Sequence, residues 1–206
     1  MRVGVGTHRG ERGLEHLPVA MTPSQAALVF LMGRYLAALM DVGITLLEIH
    51  KLMYFLQEAG EPLRLRFKQA PYGPYAENLR HVLIEIDGHF MTGYGEGRDN
   101  PDRVIVPTEI GLREATTFLS GAEVHGRADR VGTLIEGFET PFGMELLSTV
   151  HWVAAHGGAT TLDDATREVY GWNERKRMFA PEHIAAAWKA LERGGWLGTT
   201  RTAGGT

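Results

Sequence analysis

The stretch PYGPY, Pro71 to Tyr75, brings two stiff rings, Tyr72 and Tyr75, to one corner of the chain. Such rings offer a partner a flat apolar face and a hydroxyl at low entropic cost. Glu77, Asn78, Arg80 and His81 follow at once, in a run that reads as the opening of a helix. A helix start presents N–H groups on which a carboxylate or phosphate can settle. The same stretch also reads as a rigid turn with both rings packed down. Lys51 stands in the greasy run IHKLMYFLQEAG. Either its stem lies on the core while the amine reaches water, or the amine pairs with a carboxylate at a recognition site. Tyr94 and Glu96 belong to GYGEG, which has the glycines of a phosphate cradle. Asn100-Pro101 and then a strand follow it, however, where a cradle requires a helix, so it reads as a flexible connector.

Other reactive constellations are missing from the sequence. None of the nine histidines falls in a zinc-binding spacing, there is no cysteine, and no GxSxG marks a serine nucleophile. No metal site, no cofactor and no catalytic residue is therefore expected. NERKR, Asn173 to Arg177, with Trp172 and Phe179 beside it, is the one compact basic run. It reads as a solvated turn, or alternatively as a nucleic-acid patch.

The elements that must position these residues are mostly helices. Thr22-Pro23-Ser24-Gln25 and Thr45-Leu46-Leu47-Glu48 are capping boxes, each opening a helix with a wide apolar face. The second of these should be central and end at Gly60. LRLRF, Leu63 to Phe67, alternates apolar and basic and reads as a short strand, with RVIVP its candidate partner. Gly73-Pro74 reads as the N-cap and first position of a third helix, running from about Tyr75 to Ile86. Further helices are expected from Thr108 to about Leu119, from about Ala122 to Gly137, and from Thr140-Pro141 to His156. A helix, a turn, a helix opened by Pro181 and an aromatic tail complete the chain, a pattern compatible with a winged helix. The expected fold is mainly α: a compact helical domain of about seven or eight helices with one short β-hairpin. Residues 22–198 form that domain, between a tail or linker at 1–21 and a flexible tail at 199–206.

Composition fits this architecture. Of 206 residues, 44% are apolar and 22% charged, which supports a packed core. The absence of cysteine and of any long apolar segment suits a cytoplasmic protein with no membrane partner. Charge is uneven: residues 41–150 carry ten Lys and Arg against seventeen Asp and Glu, a net −7. That balance argues against nucleic acid as a partner, because phosphate contacts need clustered positive charge.

HKLMYFLQEAGEPLRLRF and APYGPYAENLRHVL, followed by GHFMTGYGEG, resemble the C-terminal domain of the DarG antitoxin family, over about Thr22 to Leu197. KLMYFLQ with its downstream YGPY is also similar, more loosely, to Panacea antitoxin domains. The resemblance implies a toxin–antitoxin protein whose partner is a DarT-type ADP-ribosyltransferase, inhibited by nucleic-acid mimicry in its single-stranded-DNA cleft. The acidic stretch would suit such a cleft. Lys51, Tyr72, Tyr75, Glu77, Asn78, Arg80, His81, Tyr94 and Glu96 are the expected partner-binding residues. Family members also carry an N-terminal macrodomain that removes ADP-ribose from DNA. Residues 1–21 cannot hold one, so the expectation is a chain that is not an enzyme and takes no small-molecule substrate. The alternative is a nucleic-acid-binding or transcription-regulatory module using the basic C-terminal helices.

Overall fold

Thr22 and Thr45 open the first two helices by the same device. In the computed structural model, which describes residues 20–39, 43–95 and 100–198, the Gln25 N–H donates to the Thr22 hydroxyl while the Gln25 side chain accepts from the Thr22 N–H. Thr45 and Glu48 form the equivalent reciprocal pair. Two of the unpaired donors of each helix start are thereby satisfied. Helix α1 spans Pro23–Leu39, strand β1 Ile44–Thr45 and helix α2 Leu46–Glu58. Every residue of α2 from Leu46 to Leu56 is buried, so this helix is the axis of the fold. It packs against α1, and Gly60 ends its run at φ +100, a conformation glycine adopts without steric cost.

The hairpin β2 (Lys68–Ala70) and β3 (Gly73–Tyr75) comes next, with Lys68 opposite Tyr75 and Ala70 opposite Gly73. Then follow α3 (Leu79–Ile86), β4 (Met91–Thr92), β5 (Val104–Pro107), α4 (Glu109–Leu119) and α5 (Glu123–Ile135). Strands β1, β5 and β4 form a small antiparallel sheet in that order. The last third is α6 (Pro141–Ala155), α7 (Leu162–Trp172), a 3₁₀ turn over Glu174–Met178, and α8 (Pro181–Arg193). Helix α6 lies against α2, β3, α7 and α8, while α4 and α5 cover α1. The protein is mainly α, and no helix among the described residues is long and apolar enough to cross a membrane.

Four local expectations are corrected. LRLRF is not a strand. Its alternation is real, with Leu65 buried and Arg64 and Arg66 exposed, but two side-chain amides occupy the place of neighbouring strands. Gln57 accepts from the Leu65 N–H at 2.8 Å and donates to the Leu65 carbonyl at 3.0 Å. Asn78 accepts from the Arg66 N–H at 3.0 Å and donates to the Arg64 carbonyl at 3.1 Å. RVIVP accordingly pairs with β1 and β4. Gly73-Pro74 is strand rather than helix start, because Gly73 sits at φ +94 and turns the hairpin. Helix α3 therefore begins at Leu79. Finally, no strand among the described residues follows α8, so the winged-helix pattern lacks its wing. The expected tails, residues 1–21 and 199–206, lie almost wholly outside the described residues.

Candidate functional site

The β2–β3 hairpin is gripped from two sides. From α2, the Lys51 amine donates to the Pro74 carbonyl at 2.6 Å. From the C-terminal third, the Trp172 indole N–H donates to the Ala70 carbonyl at 2.9 Å and the Asn173 amide to the Pro71 carbonyl at 3.2 Å. Gly73 closes the gap to α6. A Cβ at that position would lie 3.0 Å from the Thr149 hydroxyl and 3.4 Å from the Lys51 amine.

Beneath the hairpin runs a buried ionic cluster. Glu145, 1% exposed, accepts from the Lys176 amine at 2.7 Å and from the Arg175 guanidinium at 3.1 Å. Lys176 is fully buried and lies over the rings of Trp172 and Phe179. Arg175 lies 4.6 Å from the Tyr72 ring centroid, a cation–π contact that fixes an otherwise half-exposed tyrosine. Lys51, only 2% exposed, feels this cluster. Burial, and secondarily the charge of Lys176, lower its pKa to about 7 against the opposing pull of Glu145. At neutral pH much of Lys51 is therefore an uncharged amine. Neither sequence expectation for it holds: the amine does not reach water, and its hydrogen bond goes to a backbone carbonyl.

Two grooves flank this framework. One is an apolar cleft of about 360 Å³ whose walls include Leu46, Leu47, His50, Lys51, Tyr72 and Tyr75, with Lys68 at its edge. The His50 and Tyr75 rings stack at 4.4 Å, which stiffens one wall. The other is a polar groove of about 320 Å³ lined by Arg66, Lys68, Glu77, Asn78, Arg80 and His81. Lys68 belongs to both.

The structure thus divides the expected binding residues. Lys51, Tyr72 and Tyr75 line the cleft, and Glu77, Asn78, Arg80 and His81 line the polar groove. Tyr94 joins neither; it is 4% exposed and packs in the core, so its ring offers no surface. Glu96 lies outside the described residues. The helix-start N–H groups of α3 are also spent, those of Leu79, Arg80 and His81 donating to the carbonyls of Ala76, Glu77 and Asn78. The sequence reading missed Arg66, Lys68, His50 and Glu145. The first two were visible as the polar phase of R-L-R-F-K, whereas Glu145 gave no local signal.

No known protein-family model matches the chain. Among curated proteins it is similar to a DNA ADP-ribosyl glycohydrolase of Thermus aquaticus, 40% identical over 178 residues, covering 86% of this chain and 48% of that protein. Proteins of the same name from Mycobacterium bovis and Mycobacterium tuberculosis are 37% identical over 196 residues, covering 88% of this chain and 55% of theirs. The chain spans about half the length of the curated relatives it matches. Their name is that of an enzyme and not of an antitoxin. It corrects the antitoxin resemblance, the expected inhibition of a toxin by mimicry, and the expectation of a chain that is not an enzyme, and it lends no support to the regulatory alternative.

Proposed function

We propose that this chain works in the removal of ADP-ribose from DNA, and that the apolar cleft between α2 and the β2–β3 hairpin holds the modified nucleotide. The observation that carries this reading is the 40% identity to a DNA ADP-ribosyl glycohydrolase across most of the chain. The cleft supports it chemically. Its apolar walls exclude water, and the His50–Tyr75 stack and the Arg175-braced Tyr72 provide flat faces against which a base or sugar packs. Lys51, buried behind this wall, holds the hairpin in place through the Pro74 carbonyl and so keeps the cleft's shape. Lys68, which lines both this cleft and the polar groove beside it, supplies a cation for the phosphate attached to such a nucleotide.

Fluorescence anisotropy with a short oligonucleotide carrying one ADP-ribose, beside its unmodified counterpart, tests the reading. Chromatography of the same mixtures detects released ADP-ribose. The expected result is tighter binding of the modified strand, with that preference lost in Tyr75→Ala once circular dichroism shows the variant folded. Equal binding of the two strands, with no ADP-ribose released, overturns the proposal.

A further inference from the structure

The polar groove carries an inference of its own. Arg66 and Lys68 enter it from the 64–68 segment and Arg80 from α3, with Glu77 the one carboxylate on its lining. Among the described residues none of these three cations has an ion-pair partner, whereas Arg34, Arg113, Arg127, Arg167, Arg175 and Arg177 each meet a carboxylate. Three cations therefore share one groove with a single carboxylate, and among the described residues none of the three is matched by an ion pair.

The backbone beneath is nevertheless held with care. Asn78 ties the Arg64 carbonyl and the Arg66 N–H to the start of α3, so the two elements that supply the cations are fixed to one another. Arg64 takes φ +57, the one positive φ among described residues other than glycine. Such a conformation is unfavourable for a residue with a Cβ and clusters where a chain is shaped for a ligand. Unneutralised charge on a braced frame is what an oxyanion site requires before its ligand arrives.

We propose that this groove is a phosphate-binding site, taking a phosphodiester or pyrophosphate group on Arg66, Lys68 and Arg80. Its net positive lining shows how poorly the regional −7 of residues 41–150 describes the surface where those cations gather. The site stands on the groove's own geometry and not on the glycohydrolase reading. Because Lys68 also borders the apolar cleft, one ligand could place a phosphate here and its nucleoside there.

The experiment uses the whole chain and needs no turnover. An unmodified fluorescent oligonucleotide is titrated by anisotropy across a salt series, then displaced with sodium pyrophosphate or with ADP-ribose. Saturable binding that weakens with salt is expected, and an Arg66→Ala/Arg80→Ala double variant should bind about tenfold more weakly or worse. Its log–log salt slope should fall by roughly 1.4, about 0.7 for each lost single-strand phosphate contact. Displacement by ADP-ribose below the pyrophosphate concentration needed identifies a nucleotide pyrophosphate as the preferred source; displacement only at matching or higher concentration identifies the strand. No binding at low salt, or equal binding by a folded double variant, overturns the site. Equal binding of modified and unmodified strands by the unsubstituted chain, with no ADP-ribose released and phosphate binding intact, would sink the cleft reading and leave this one standing.

Discussion

Lys176 and Arg66 are both cations, and the chain treats them in opposite ways. Lys176 is withdrawn from water and matched to Glu145, with Arg175 on the second carboxylate oxygen and aromatic rings around it. Arg66 is left exposed among like charges, while the peptide groups on either side of it are secured by Asn78. The difference separates charge that holds a wall in place from charge that waits for something to be held. A charge run read along the sequence cannot make that distinction: NERKR, the compact basic run, is largely consumed by internal contacts, and the scattered RLRFK supplies the groove.

The sharpest way to break this comparison is Glu145→Gln. Removing one partner of a buried pair strands the other, so denaturant unfolding should show a loss of about 3 to 5 kcal/mol. A loss below about 1 kcal/mol would place the Glu145 cluster in the same class as the groove. Gly73→Ala should cost about 2 kcal/mol in the same measurement, because φ +94 disfavours any side chain and the new Cβ would crowd the Thr149 hydroxyl. The Arg66→Ala/Arg80→Ala double variant should change stability by less than about 0.5 kcal/mol, in line with exposed unpaired side chains.

Lys51 supplies a test by pH. Its folded pKa of about 7 lies below the ordinary 10.5. Between these values the unfolded chain therefore binds more protons than the folded one, and stability rises with pH across that window. Below about pH 7 both states are protonated, and the penalty of burying the charge is felt in full. Lys51→Met should flatten the rise between pH 7 and 10, as read from chemical unfolding at several pH values. An unchanged slope would show that Lys51 is not the group responsible. His151 adds a rise of the same sign lower down, since burial depresses its pKa to about 4.

How much of this was legible in the sequence follows from the range of the interactions. Capping boxes at Thr22 and Thr45, the proline openings at Pro141 and Pro181 and the stop at Gly60 are local, and each element formed where its residues said it would. LRLRF misled because alternation reports which side chains face the core and not what the backbone bonds to; Gln57 and Asn78 are not visible as partners until α2 and α3 are in place. Tyr75 was read as helical because Pro74 suits both a first helical turn and an edge strand, and the positive φ of Gly73 decided between them. The site itself was half legible. The cleft-lining Lys51, Tyr72 and Tyr75 and the groove-lining Glu77, Asn78, Arg80 and His81 are close in sequence and were singled out from it as candidates. Glu145, which lies far along the chain, was not.

The tie between Trp172 and Ala70 joins residues 102 positions apart. A polypeptide emerging from the ribosome makes its earlier helices first, so α2 and the hairpin must wait until Trp172 and Asn173 have been made before their outer brace exists. A nascent hairpin would until then keep the Lys51 grip alone, and the cleft would gain its second clamp as a late event of folding.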